Sequence, residues 1–562
     1  MTMSQIDLER KTILEAKQKG TITTALAYAR LSGPGWLQGA ITLGGGSLAG
    51  SLYLGVIGGY EMMWLQPLMM ILGIVMLSAI GYVALSIEER PFDAINRHIN
   101  PVLGWGWAIA TLMANLVWAM PQFSLGTAAI QQNLLPGLFG GEGGKYVAVG
   151  LLFGVSALVI WFYESGGWGL KLFEILLKSM VAIVVISFFG VVVAMTLKGG
   201  GLPWGEILTG FIPDLSLLWH PAGAFERALA DSTHADYWRE QILSTQRDRM
   251  VTAAATAVGI NMTFLLPYSM LRRGWDRDFR GLAIFDLSIG LFLPFLLATS
   301  CVVIASASQF HGQYDPGLVG EGPETPGITA KLQGGYNNNL SGLEKWLNRP
   351  DADSDAVGEI DLSDKKMAAM LVPRDAFLLA NTLENLTGST VAHVVFGIGV
   401  VGMAFSTIII LMLINGFTVC EMMGLPATGV AHRMWSLLPG VTGALGFLFL
   451  WGRENARFWL AVPTSVFGMV LLPIAYLTFF LMMNNRKLLG EHLPQGGRRN
   501  LINALMLVAL VAATIGAGWS IWSKTAWKGV AGVIAFLLLA AVVHVTRNGA
   551  SNGHDAAPEP VE

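Results

Sequence analysis

The sequence predicts an all-α polytopic membrane protein with about twelve transmembrane helices, arranged as a 5+5 inverted repeat whose helices 1 and 6 are discontinuous. Three observations lead there: a composition that needs lipid, a series of apolar segments of spanning length, and helix breakers in the first and sixth of them.

Of the 562 residues, 53% are hydrophobic and only 13% are charged, and the mean hydropathy is +0.55. Typical globular chains are about 25% charged, so the excess apolar surface requires a bilayer as partner. Gly (67), Trp (18) and Phe (27) suit close helix packing and interfacial aromatics. The net charge of −3 gives no footing for nucleic acid. Cys301 and Cys420 lie in apolar runs, which leaves neither a disulfide framework nor a cysteine zinc site. No nucleotide loop, nucleophile–base set or metal-protease motif occurs. An enzyme is therefore not expected, and no cofactor is implied. The polar start of the chain (Arg10, Lys11, Lys17, Lys19) does not resemble a signal peptide.

A span needs about 20 apolar residues. The candidates are 34–57, 62–87, 104–131, 146–163, 172–197, 250–271, 279–308, 390–422, 435–451, 457–483, 500–523 and 528–546. Basic residues set the orientation. Arg90 and Arg97, the group Arg272, Arg273, Arg277 and Arg280, and the group Arg486, Lys487, Arg498 and Arg499 all fall in alternate loops. These are cytoplasmic if both termini are, which predicts a multi-pass protein of the plasma (inner) membrane. The expected organisation is a cytoplasmic arm (1–33), a first repeat (34–197), an external linker (198–249), a second repeat (250–483) containing a polar external loop (309–389), a cytoplasmic loop with helices 11 and 12 (484–546), and a disordered tail (547–562). Nothing in the sequence sets an oligomeric state.

Within span 1, three glycines and a serine (Gly44, Gly45, Gly46, Ser47) interrupt an apolar helix. Glycine costs a helix interior about 1 kcal/mol relative to alanine. Non-helical backbone at membrane depth survives only where it is buried in protein or lines a cavity. The run therefore reads either as the break of a discontinuous helix at a transport site or as a glycine face that admits a neighbouring helix. Pro267 in span 6 supplies a second breaker. Two breakers in corresponding spans favour a site formed by 44–47 and 265–268, where a transported ion or small solute would bind.

At these residues the chain resembles the Nramp family of divalent-metal transporters, which have the leucine-transporter fold. The likeness covers about residues 33–490. It rests on Gly33-Pro34-Gly35, Gly126-Thr127-Ala128, Phe285-Asp286-Leu287, Ser406-Thr407-Ile408 through Glu421, Leu472-Pro473, and Asn485-Arg486-Lys487-Leu488-Leu489-Gly490. The resemblance also marks departures. Where the family carries Asp-Pro-Gly-Asn, this chain has Gly44, Gly45, Gly46 and Ser47. Where it carries Met-Pro-His, this chain has Leu266, Pro267 and Tyr268, with Thr263 replacing an alanine. The positions of the third-helix acids that serve proton passage hold Met120 and Phe123, and the tenth-helix glutamine position holds Leu471.

The resemblance implies alternating-access carriage of metal cations such as Mg or Mn, here without the usual proton relay. No metal-ligand set can be named. The expected substrate contacts are Thr42, Gly44, Gly45, Gly46, Ser47, Asn261, Thr263, Leu266, Pro267 and Tyr268. A glycine-widened site without carboxylates also suits a small organic or anionic solute, and a non-transporting membrane sensor is a third reading.

Other polar residues carry structural expectations. Glu174 and Lys178 read as an i,i+4 pair, Asp286 as a helix-start contact, and Glu421 as the partner of a cytoplasmic base. Asn115, Gln122, Asn261 and Asn415 read as interhelical hydrogen bonds, and His393 as a satisfied histidine. Asp231-Ser232-Thr233-His234-Ala235-Asp236 reads as a solvated helix end or a cation site. Asp351-Ala352-Asp353-Ser354-Asp355 lacks the spacing of a calcium loop. Asn339 and Asn385 head glycosylation sequons.

Overall fold

A computed structural model describes residues 5–87, 89–164, 167–198, 201–325, 328–349, 360–450 and 469–554. Among these residues, eight helices are long and apolar enough to cross a bilayer, or nine if one bent pair counts as a single span. Two amino-terminal helices, α1 (Gln5–Lys19) and α2 (Thr21–Leu31), lead into α3 (Pro34–Thr42) and α4 (Gly45–Gly58). Then come α5 (Leu65–Ala84), α6 (Pro101–Ala129), α7 (Glu142–Glu164) and α8 (Gly167–Lys198).

The bent pair is α3 with the helical stretch Gly45–Met62, which meet at 54°. The break is confined to Leu43 and Gly44, while Gly45, Gly46 and Ser47 form the first turn of α4. The expected interruption is thus present but shorter than the glycine run.

The second interruption lies elsewhere than expected. Helix α9 (Ala235–Ala255) stops, four residues (256–259) leave the helix, and α10 (Ile260–Arg272) resumes. Pro267 sits inside α10, so 265–268 is not unwound. A proline within a packed membrane helix is tolerated because neighbours satisfy the freed backbone. Span 6 also starts at about residue 235, so the supposed linker 198–249 already contains most of α9.

Next follow α11 (Arg280–Leu287), a π-helical turn (Ser288–Phe292) and α12 (Leu293–Phe310). The region expected to be a polar loop, 309–389, is largely helical: α13 (Thr329–Leu347), α14 (Leu362–Met370) and α15 (Ala376–Thr387). Residues Asp351–Asp355 and the side chain of Asn385 lie outside the described residues. The chain ends with α16 (Phe396–Met422), α17 (Gly429–Phe449), α18 (Leu472–Met483) and α19 (Gly496–His554). Residues 451–468, and with them the start of span 10, lie outside the described part, as does 555–562 of the tail. The expected helices 11 and 12 form one helical run, interrupted at Ala526 (φ 48°, ψ −140°).

A buried carboxylate joins α14 to the start of α9. Asp364 of α14 accepts hydrogen bonds from Ser232 Oγ (2.9 Å), the His234 amide (3.3 Å) and Trp238 Nε1 (2.9 Å), and contacts His234 Nδ1 at 2.6 Å. The 231–236 cluster is therefore a joint between two outer segments. Nearby, burial pushes the Arg374 guanidinium down to about 10, partly opposed by Asp315.

Helix α3 packs tightly on the α11 side. An added Cβ at Gly39 would lie 2.2 Å from the Gly290 carbonyl oxygen. That contact is with backbone, so it cannot relax cheaply. Gly39→Val is expected to abolish the monodisperse folded species in size-exclusion chromatography. Gly150→Val, at a position with open space around its Cβ, is expected to leave the profile unchanged.

Candidate functional site

A cavity of about 400 Å³ opens where the two helix pairs are interrupted. The first break contributes Thr42, Gly44, Gly45, Gly46 and Ser47, and the second contributes Thr252, Thr256, Gly259 and Asn261. Trp118, Gln122 and Leu125 come from α6, Thr407 from α16 and Phe377 from α15. Among the described residues lining it, none is Asp, Glu, Lys, Arg or His. The heteroatoms among the lining residues are those of hydroxyls, amides and the backbone, with the Met262 thioether and the Trp118 indole.

Breaking a helix orphans carbonyls before the gap and amides after it, and the neighbours of this cavity satisfy several of them. The Thr42 hydroxyl lies 2.7 Å from the Ala257 carbonyl and 3.1 Å from that of Thr256. Ser47 Oγ donates to the Thr42 carbonyl and lies 3.4 Å from that of Thr256. Gln122 Oε1 accepts from the Gly45 amide at 2.9 Å. Behind them, Ser51 donates to Gln66 Oε1 (2.8 Å), and Gln66 Nε2 donates to Thr256 Oγ1 (3.3 Å). The two breaks are thus bonded to each other.

Space is tight at two of the three glycines. A Cβ at Gly44 would lie 2.4 Å from Thr407 Oγ1, and one at Gly45 would lie 2.9 Å from Leu125 Cδ2. The close-packing reading of the glycine run and the break reading are both realised at this one place.

Of the expected contacts, Thr42, Gly44, Gly45, Gly46, Ser47 and Asn261 line the cavity, whereas Thr263, Leu266, Pro267 and Tyr268 do not. These four follow the true break along α10. Thr263 Oγ1 accepts from Trp107 Nε1 (2.9 Å) and donates to the Ile260 carbonyl (2.5 Å). Leu266 is buried in the core. Tyr268 stacks on Phe264 at 4.5 Å, accepts from the Phe92 amide (3.3 Å) and hydrogen-bonds Glu421. Sequence reading missed Thr252, Thr256 and Gly259 as cavity residues. Their signal was a glycine preceded by two threonines at i,i+4, which is weaker than a proline.

Asn261 Nδ2 donates to Asn115 Oδ1 (3.3 Å), and Asn415 Nδ2 to the Trp435 carbonyl (2.7 Å). Met120 and Phe123 face apolar neighbours at Gly446 and Gly443. His393 contacts Glu384 at 3.1 Å.

A charged cluster holds the start of α3. Asp286 Oδ2 accepts from the amides of Gly33 (3.0 Å) and Gly35 (2.7 Å), as expected of a helix-start contact. Glu174 pairs with Arg273, not with Lys178, whose Nζ donates to the Ser32 carbonyl at 2.8 Å. Arg273 reaches Glu174 from α10 and also donates to the Leu31 carbonyl (3.2 Å). Glu421 pairs with Arg90 at 3.2 Å.

The family model described as natural resistance-associated macrophage protein-like (Nramp) matches residues 35–318 and 367–522. The chain belongs to the Nramp family. It is a transport-class membrane protein and not an enzyme. Solved structures of the Eremococcus coleocola manganese transporter share the fold. A histidine-to-alanine mutant superposes with a TM-score of 0.59, a glutamate-to-alanine mutant with 0.61, and a complex with an aromatic bis-isothiourea substituted compound with 0.59. Each is 13% identical, over 93% of this chain and 94% of the other. No curated protein sequence matches the chain. The internal gap in the family match of this Nramp chain, 319–366, includes α13 and Asp364.

Replacing Thr42 tests the bond between the breaks. Thr42→Val leaves the Thr256 and Ala257 carbonyls short of a donor, a loss of about 1–3 kcal/mol. Thermal unfolding should show a lowered Tm for Thr42→Val and a Tm close to wild type for Thr42→Ser.

Proposed function

We propose that the protein is an alternating-access carrier of metal cations, divalent ions such as Mg or Mn among them, working without the usual proton relay. The observation that supports this most is the cavity at the junction of two interrupted helices in an Nramp scaffold, lined by hydroxyls, amides and apolar side chains and by no charged one among the described residues. Substrate contacts in this reading are Thr42, Gly44, Gly45, Gly46, Ser47 and Asn261, to which Gln122, Thr256 and Thr407 are added.

The chemistry sets the form of the ion. Mg²⁺ sheds water reluctantly and usually keeps several of its ligands as water. A neutral site offers it no carboxylate to offset dehydration. One water occupies about 30 Å³ of liquid, so a cavity of about 400 Å³ holds a dication with its inner hydration shell. Hydroxyls and the carbonyls at the ends of α3 and α9 then contact those waters. The helix dipoles assist, because carbonyl ends carry partial negative charge. The same cavity also receives the amino end of α4, whose partial charge is positive, and this favours the second reading, a small organic or anionic solute.

The architecture proposed with this function is two inverted repeats of five helices followed by two further helices. The first repeat covers 34–197. The second starts with α9 at residue 235 rather than 250. The run Gly496–Arg547 has 52 residues. At 1.5 Å per residue it would far exceed a hydrocarbon core of about 30 Å, so it supplies two passes that turn at Ala526. In this topology the termini are cytoplasmic. The cavity then lies on the outer side of the breaks, among α4, α9 and α6, while the Asp286–Arg273 cluster closes the inner side.

Proteoliposomes test the reading. Manganese or magnesium uptake should occur with no accompanying proton influx on an internal pH dye. Gly45→Trp, which fills the cavity, should reduce uptake at least about tenfold, a barrier increase of about 1.4 kcal/mol. Manganese-driven proton influx that disappears in Ser47→Ala would overturn the proton-independent mechanism. Uptake of amino acids with no competition by either metal would replace the cation with the organic solute.

A further inference from the structure

Away from the site just described, a groove of about 420 Å³ opens on the surface between α5, α11 with its π-helical turn, α18 and α19. Its walls are apolar: Ile71, Ile74 and Val75 of α5, Phe292, Ile502 and Leu505. Ile71, Ile284 and Leu505 are exposed, so in a bilayer this groove faces acyl chains.

One end is different. Tyr82 and Arg498 line it. The Arg280 guanidinium lies 4.4 Å over the Tyr82 ring, and the Tyr82 hydroxyl is fixed by donating to the His492 carbonyl at 2.6 Å. Among the described residues, Arg280 Nε and Nη2 are enclosed without a hydrogen-bond partner. Arg277 and Arg498 act on Arg280 as like charges. The nearby acids do not neutralise the group fully, because Asp276 and Asp278 are engaged by Arg10 at 2.5 and 3.1 Å. Three guanidiniums therefore gather at one end of an apolar groove.

The dimensions match one leaflet. From Ile71 to Tyr82 the groove follows α5 for about 16 Å at 1.5 Å per residue, half of a hydrocarbon core of about 30 Å. The positive end falls at the side where basic loop residues place the cytoplasm.

We infer that this groove is a binding site for an anionic phospholipid of the inner leaflet, with one acyl chain along α5 and the phosphate at Arg280 and Arg498. Charge complementarity selects the occupant: an apolar trough alone accepts any lipid, whereas clustered arginines favour an anionic headgroup. The site also touches the cluster that holds α3. Ile284 and Ser288 of the groove are four residues apart on one face of α11 and its continuation. Asp286 lies about 200° around the helix from Ile284, where it holds the Gly33 and Gly35 amides. A lipid in the groove braces the back of the segment whose front anchors the first broken helix.

The test uses the full chain purified in detergent, with dioleoyl-phosphatidylglycerol or dioleoyl-phosphatidylcholine added at equal mole ratio. Phosphatidylglycerol should raise the Tm by several degrees more than phosphatidylcholine, and native mass spectrometry should show one retained molecule of it. Retention should fall about fivefold for each arginine lost in Arg280→Gln and Arg498→Gln. Ser288→Trp keeps the charges and obstructs the trough, so it should also remove retention, and it covers the case in which the arginine variants fail to fold. Equal effects of the two lipids, retention that survives Ser288→Trp, or the same stabilisation from inorganic phosphate alone would each overturn the inference. None of these readouts depends on transport, so their failure leaves the proposed carrier function standing.

Discussion

The hydroxyl of Thr42 on the carbonyls of Thr256 and Ala257 is the contact on which the centre of the molecule depends. Interrupting a helix inside a membrane exposes backbone groups to a medium that cannot hydrogen-bond them, at several kcal/mol for each unsatisfied group. Two interruptions placed side by side meet part of that demand mutually. The first break supplies side-chain donors in Thr42 and Ser47, and the second supplies the freed carbonyls. Gln122 supplies the acceptor that the Gly45 amide needs. Each break is therefore stable only in the presence of the other, which is why the cavity lies between them.

This mutual dependence explains what could be read from the sequence. The first break was legible because Gly44, Gly45 and Gly46 lie together, and no packed helix needs three glycines in succession without a reason. The second was placed at Pro267, the strongest breaker in its span, yet the chain leaves the helix at 256–259. What interrupts that helix is tertiary: the Thr256 and Ala257 carbonyls find a donor in a segment more than 200 residues away. Local propensity cannot report such a partner. The Glu174 misreading has the same origin, since an i,i+4 rule proposed Lys178 and the fold brought Arg273. Asp286 and Glu421 were legible because a charge in an apolar helix must find a partner, and few were on offer. Helices α13 to α15 were missed because the acids and prolines between them dominate the segment, although each buries a short apolar face, Leu332, Tyr336, Leu343 and Leu347 in α13 among them, and Asp364 with its donors ties α14 to the start of α9.

The scaffold and the site chemistry are carried by different residues. The segments that make this an Nramp protein are those that hold helices together: Gly33 and Gly35 against Asp286, and Ser406 donating to the Ala40 carbonyl at 3.0 Å. The positions where the resembled pattern places carboxylate, amide and thioether hold glycine, serine and leucine. Removing those side chains did not leave a closed core. Gly44 and Gly45 pack against Thr407 and Leu125 on one side, while Trp118, Phe377 and several hydroxyls line the space between the breaks. In the proposed function, a site without carboxylates would discriminate mainly by size and hydration.

Selectivity by hydration also assigns a role to the cluster around α3. A neutral cavity has little electrostatic grip on an ion, so bound substrate contributes little energy to opening or closing the protein. In the proposed cycle, the energy that holds one side shut must then come from the protein itself. The amides of Gly33 and Gly35 on a buried carboxylate, with Arg273 bridging to Glu174, supply it at the start of α3. Charge-assisted hydrogen bonds of this kind are about twice as strong as neutral ones. They are made by the short helical segment that ends at the first break and could pivot there, at Leu43 and Gly44. In the proposed cycle, Gly44 would thus serve both as part of the site and as part of the hinge. The closed end is held by Asp286, on a helix segment whose other face lies in the lipid-facing groove.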